Sequence, residues 1–426
     1  MNEPGWIFQK FIKKHNLIKS TLFRGGNQDG LKEFNERLII HVIRNSREIT
    51  GTDISNLTGI SVQSVSRIVK RLCDTGLLIK KDPLRIKGKV GQPSIPIALN
   101  PNGVFSVGVK IGRKSMDVLV IDFVGNILRQ ITESYEYPDP SKILPKVRDN
   151  ISKTINFLNH EQRKRIVGIG VAAPYGLGDW PNELQGPPEV LRKWVDIDLL
   201  KEVSKNLEYP VWLEHDAKSA CLADLTLNHQ SQKFTNYLYI FVGTIIGGAV
   251  VLDGLLHRGS RGFAGAIGPS PVPRSFYTKS NNNSSPIVPL LQCASRYLLD
   301  EKLIELGFDP QVIVPLSGND ETYRKITVVR NKVDEWLENS SAAISIAILS
   351  SISNLDVEGV VVDGSFPLGV ISELRDRIEN KLNDYSFTGI KRPKLISGNL
   401  GNDARALGGA IIPLYWSFSP HKTSIF

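Results

Sequence analysis

The sequence predicts an α/β protein: an N-terminal winged helix-turn-helix followed by a larger, duplicated two-lobed α/β body. Three observations carry this prediction. Residues 49–78, ITGTDISNLTGISVQSVSRIVKRLCDTGLL, read as a helix, a tight turn and a second helix that is apolar on one face only. Residues 1–100 hold 17 Lys and Arg against 8 Asp and Glu, while the other 326 residues hold 35 of each, so the whole excess of +9 lies at that end. A strand, a Gly turn and a second strand occur twice, in FSVGVKIGRKSMDVLVIDFVGNIL (105–128) and LYIFVGTIIGGAVVLDGLLHRG (238–259). Such a repeat suggests two lobes around a cleft.

Taken in order, residues 1–30 mix basic and aromatic side chains and end in RGGNQDG, a Gly-rich stretch expected to be a flexible arm. Phe34–Arg44 fits a first helix with Leu38, Ile39, Val42 and Ile43 inward. In the helix-turn-helix, Gly59 permits the turn and Ser61 stands at the N-cap of the second helix. Val62, Val65, Ile68, Val69 and Leu72 form the inward stripe there; Gln63, Ser64, Ser66, Arg67, Lys70 and Arg71 face outward. A basic helix face alone is ordinary solvated surface. Joined to the charge asymmetry, it is the footprint of a DNA reader that neutralises phosphates. Gln63, Ser64, Ser66 and Arg67 lie in the N-terminal half and are candidate base contacts, with Arg67 suited to guanine and Gln63 to adenine. Lys70 and Arg71 suit phosphates. LLIKKDPLRIKGKVGQPSIPIAL (77–99) alternates basic and apolar residues as a two-stranded wing does. Gly88, Gly91 and Pro93 mark its tip or its exit to a linker, and Lys89 and Gln92 are further candidate DNA contacts. The winged domain is thus expected over 31–98.

The body is expected over 99–426, with lobes of about 99–225 and 226–426. A hydrophobic share of 41% and a charged share of 22% are those of a soluble globular protein. No run of 18 apolar residues suits a membrane span, and MNEPGWIFQKFIKKHN lacks the features of a secretory signal. Cys73, Cys221 and Cys293 are too scattered for a disulfide framework or a metal cluster. The histidines likewise show no ligand spacing, so no metal and no cofactor is expected. The expected setting is cytoplasmic and reducing.

The order of winged helix-turn-helix, GQPS, VGVKIG, EHDAKSACLAD, VGTIIGGA, AGAIG and SGNLGNDARALGGA resembles the ROK family of sugar kinases and repressors, over about residues 24–415. The resemblance implies an actin/hexokinase-like two-lobed body, with the N-terminal winged helix of the family's regulators. It also implies departures from the kinases. Their first Gly turn carries an Asp for phosphate and magnesium, where this chain has Lys110, a cation that cannot bind magnesium. Their Asn-Asp base motif is His215-Asp216 here, and their Gly-Thr-Gly loop is Gly243-Thr244-Ile245. Their Glu-x-Gly-His, which contacts sugar and zinc, is Ala266-Ile267-Gly268-Pro269, and the zinc cysteines are replaced by FYTKSNNNSSPIVPLLQC. The expectation is a kinase-like body with no catalytic residues and no enzymatic activity.

A sugar-responsive regulator needs a site whose occupancy favours one conformation. Asp216 is the candidate sugar contact, with His215 beside it, although an Asp there also suits a helix cap. Gly247, Gly248 and Gly265 are candidates for close backbone approach to the effector. Trp180 and Trp194 suit either a sugar ring or the core. GNLGNDARALGGA (398–410) reads as lobe packing, and 331–355 as a long helix with a small-residue face. The resulting expectation is a repressor of carbohydrate uptake or catabolism genes that binds double-stranded operator DNA as a homodimer or homotetramer and responds to a carbohydrate. Two rivals remain: an active sugar kinase with an appended DNA module, and a regulator controlled by a protein partner.

Overall fold

The computed structural model describes residues 28–83, 94–174, 176–177, 186–228, 230–274, 285–313 and 322–420. Lys89, Gln92, Trp180 and most of the expected arm lie outside these residues. Positions 28–30 already belong to the first helix, α1 (Gln28–Ser46), which starts earlier than its apolar pattern suggests. β1 (Glu48–Ile49) leads into α2 (Gly51–Thr58) and α3 (Val62–Asp74), followed by β2 (Leu78–Lys80) and β3 (Ile97–Leu99). β3 pairs antiparallel with both β1 and β2, closing a three-stranded sheet at the base of the wing.

β4 (Phe105–Ile111), β5 (Ser115–Asp122) and β6 (Ile127–Ser134) form an antiparallel meander. α4 (Pro140–Phe157) then leads to β7 (Ile166–Ala173), which lies parallel to β4, and β8 (Val211–His215) is parallel to β7. The order is β6-β5-β4-β7-β8. β4 and β7 are buried along their whole length, as strands covered on both faces must be. Strand alternation sends Val107 and Val109 into a core with Ile143, Val147 and Ile151 of α4.

The second unit, Asp216–Arg405, repeats this plan. After α5 (Asp216–Leu227), the strands β9 (Tyr237–Val242), β10 (Ile246–Leu252) and β11 (Leu255–His257) form the meander. A small ribbon of β12 (Pro271–Pro273) and β13 (Ile287–Pro289), then α6 (Arg296–Glu305) and α7 (Thr327–Leu355), precede β14 (Gly359–Gly364). α8 (Leu368–Asn383) and β15 (Lys394–Ser397) complete the sheet, in the order β11-β10-β9-β14-β15. The equivalent order and the same parallel and antiparallel pairings establish the duplication that the two Gly-turn units predict. The small-residue face of α7 is core: Ser340, Ser341, Ala343, Ser345 and Ala347 are buried, and Ser345 Oγ lies 3.5 Å from the Ile378 carbonyl of α8. Among the described residues no helix is long and apolar enough to cross a membrane.

The expected lobe boundaries need correction. The units divide at His215/Asp216, and the last helix, α9 (Ala404–Phe418), returns to the first unit from Ala406 onward. Gly108, on the sheet face away from α4, would place a Cβ 2.5 Å from the Ala406 carbonyl. At Gly170 a Cβ would fall 2.0 Å from the Gly409 carbonyl. Only bare backbone lets α9 lie this close, which is the packing expected of the GNLGNDARALGGA segment.

Within this first unit the winged domain is fastened to the sheet. Arg44 of α1 donates from Nη1 to the Phe123 carbonyl at 2.8 Å and stacks 4.9 Å over the Phe123 ring. Phe123 in turn meets Phe418 of α9 edge-on at 5.0 Å. Arg44→Ala is expected to lower stability by about 2 kcal/mol, through loss of a charged hydrogen bond and a cation–π contact. Urea unfolding measures the change.

Candidate functional site: recognition helix and sugar-kinase-like body

The first candidate surface is α3. Thr50 caps α2 through Asp53 N, and Gly59 ends that helix at φ 69°, a left-handed turn that a β-carbon resists. Ser61 Oγ then accepts from Ser64 N and caps α3. Val65, Ile68, Val69 and Leu72 are buried, as their spacing requires. Val62 departs from the expected stripe, being 57% exposed. It is the first residue of α3, ahead of the buried run that begins at Val65.

Gln63, Ser66, Arg67 and Lys70 are exposed on the outward face. Ser64 is drawn into the cap, accepting from the hydroxyl of Ser61 at 3.0 Å. Arg67 Nη2 reaches Ser64 Oγ at 3.4 Å, a long contact. Arg71 is held by an ion pair with Glu36 of α1, so its charge is opposed inside the domain, a pairing across helices that helical spacing does not reveal.

In the body, Lys110, where the resemblance to the kinases implies an Asp, is held by neighbouring side chains. Lys110 of β4 lies opposite Asp117 of β5 in register, and Nζ donates to Asp117 Oδ2 at 2.7 Å and to Ser115 Oγ at 2.9 Å. Thr132 Oγ1 donates to the other carboxylate oxygen at 2.5 Å. Both ion-pair side chains are less than 10% exposed. The sequence carried a signal for Asp117: opposite charges at matching distances from the turn of a two-stranded hairpin.

Asp216 starts α5, and Oδ1 accepts from Ala217 N at 2.9 Å, while Oδ2 faces Arg405 Nη1 at 3.7 Å. Arg405 also donates to Ser365 Oγ at 3.0 Å and lies 5.0 Å over the Phe241 ring. Arg405 was not legible as a partner of Asp216, because the groups it meets come from distant parts of the chain. His215 is the last residue of β8, immediately before Asp216. Within the first turn of α5, Lys218 Nζ donates to the carbonyls of Gly262 and Arg258, tying α5 to the loop that carries Gly265. Gly265 has φ +74°, and a Cβ there would fall 2.5 Å from the backbone of Ala249 and Val250. Gly248, in β10, would place a Cβ 2.9 Å from the Gly265 carbonyl. These two glycines therefore let the loop lie on the strand. Gly247 lies in β10 opposite Phe241. Trp194 belongs to the core, 7% exposed, with Nε1 donating to the Pro138 carbonyl at 2.6 Å.

Two acids are buried in the second unit, Asp224 of α5 and Asp363 of β14. Burial pushes Asp224 up to about 7 against hydrogen bonds from Asn228, Ser231 and Tyr237. Burial raises Asp363 to about 6 against backbone N–H groups and the Tyr239 hydroxyl. With both folded values above the unfolded one near 3.8, the folded state holds more protons between roughly pH 4 and 7. Stability contributed by these acids thus falls as pH rises through that window, by at most about 1.4 kcal/mol per pH unit for each. Burial holds His41 down to about 4, and its stabilising contribution is lost in the opposite direction, as pH falls below 6.5. Comparing Asp224→Asn with the parent across this range isolates the acid, and a shallower decline is expected in the variant.

Comparison with known proteins places these features. The MarR family model matches residues 33–84 and the ROK family model matches residues 106–414. The xylose repressor of Bacillus subtilis is 21% identical over 90% of this chain and 95% of its own length. That of Caldicellulosiruptor bescii is 25% identical over 58% of this chain, but the match spans only 61% of that protein. A crystal structure of a ROK family transcriptional regulator, a homologue of the E. coli MLC protein, superposes with a TM-score of 0.63 at 18% identity, covering 93% of this chain and 99% of that one. With its body matched almost end to end and more than half of its length included, the chain belongs to the ROK family.

Proposed function

We propose that this protein is a DNA-binding transcription repressor of carbohydrate uptake or catabolism genes, and that its body senses a sugar instead of phosphorylating it. The observation that carries this reading is the exposed row of Gln63, Ser66, Arg67 and Lys70 on a helix whose opposite face is buried in a winged domain. Gln63, Ser66 and Arg67 are assigned to base edges and Lys70 to phosphate, with Lys89 and Gln92, outside the described residues, as added contacts. Ser64 acts through the helix cap, and Arg71 through Glu36. A homodimer or homotetramer on a two-fold symmetric operator fits this kind of reader.

In the body, Asp216 and His215 are assigned to sugar hydroxyls, and Gly247, Gly248 and Gly265 to close backbone approach to the effector. The xylose repressors among its relatives make xylose the first effector to try. Closure of Lys110 onto Asp117 supports the absence of phosphoryl transfer, which depends on positioned metal and charge. Two assays test the reading together. A sugar panel is expected to raise the melting temperature for one sugar or a few, because a ligand that binds the folded state stabilises it. ADP release with ATP and that sugar is expected to stay at background; sugar-dependent turnover would return the protein to the kinases, and no shift from any sugar would favour control by a protein partner.

A further inference from the structure

Val62 is a branched aliphatic side chain in the first turn of α3, 57% exposed, between the cap residue Ser61 and the exposed Gln63. It lies one helical turn before Val65, which is 1% exposed, so the packing that explains the rest of the apolar stripe does not explain Val62. A single exposed apolar residue on a general surface needs no explanation. This one stands where a helix-turn-helix presents the N-terminal end of its recognition helix to base edges. The apolar feature of the major groove is the C5-methyl group of thymine, and a methyl-bearing side chain meets it without leaving a polar group unpaired.

We infer that Val62 is a specificity-determining residue that reads a thymine methyl group in each operator half-site, beside the bases contacted by Gln63 and Arg67. This rests on the DNA-reading function proposed above. Val62 carries no charge and no donor, so it adds discrimination at one base without adding to non-specific binding, which runs on phosphate contacts. A β-branched side chain in a helix is also restricted to one main rotamer, so little freedom is lost when the methyl groups meet.

The test uses the full chain. Its operator is selected from random duplex DNA, and each thymine is then replaced in turn by deoxyuridine, which lacks only the methyl group. Affinities are measured for the parent and for Val62→Ala. For the parent, deoxyuridine at one position per half-site is expected to weaken binding about fourfold, the value of one methyl-sized apolar contact. For Val62→Ala, which loses the contact in both half-sites, the thymine operator is expected to bind about sixteenfold more weakly, with no further loss on deoxyuridine replacement. A Val62→Ser variant, of similar reach but polar, should behave as Val62→Ala does. Equal deoxyuridine penalties in parent and variant, or none in the parent, would overturn the inference while leaving the DNA-reading function standing. If the parent selects no motif at all, that function falls, and this inference with it.

Discussion

Arg67→Ala is expected to weaken binding to the selected operator by about 1–3 kcal/mol, roughly 5- to 150-fold, with a much smaller loss on random DNA. The guanidinium is exposed in the N-terminal half of α3, and its 3.4 Å contact with Ser64 Oγ gives way easily to the paired acceptors of guanine. Lys70 provides the contrast. It lies one turn further along the same face, and its replacement should weaken all duplexes alike and flatten the salt dependence. Electrophoretic or anisotropy titrations at two salt concentrations separate the two behaviours. Equal losses on operator and random DNA for Arg67→Ala would make it a phosphate contact.

The second large effect concerns the body. Asp117→Ala is expected to lower stability by about 3–5 kcal/mol, because it leaves the Lys110 ammonium buried without its carboxylate. The pair itself need not be strongly stabilising, since both charges lose hydration when buried. A Lys110→Met, Asp117→Leu double replacement should therefore recover most of the loss in urea unfolding. The same geometry bears on catalysis. Lys110→Asp would set two carboxylates against each other across β4 and β5, where like charges disfavour ionisation. Restoring the kinase residue alone is thus expected to cost stability without restoring sugar phosphorylation, and a calorimetric melt with an ADP-release assay checks both.

The sequence made some of these features legible for physical reasons that the structure clarifies. Val65, Ile68, Val69 and Leu72 announce α3 because helical period and burial coincide there. Val62 shares the period but not the burial, since periodicity does not say where the neighbouring helices stop covering the first turn. The duplicated Gly turns revealed two copies of one sheet. They did not reveal that α9 crosses back to the first copy, which depends on Gly108, Gly170 and Gly409 meeting across the sheet face. Asp216 at the start of α5 was legible as a helix cap. Arg405 and Ser365 were not legible beside it, because strands and loops far apart in the chain bring them there. The ion pair of Arg71 with Glu36 of α1 was not legible either, because it joins two helices far apart in the sequence.

Whether this chain reads a specific DNA sequence is tested most directly by capture of fragmented genomic DNA by the purified full chain at physiological salt, followed by sequencing. A discrete two-fold symmetric motif is expected beside genes of carbohydrate uptake or catabolism, with occupancy that changes when the sugar found in the melting panel is added. Diffuse, salt-labile retention with no motif would contradict specific reading.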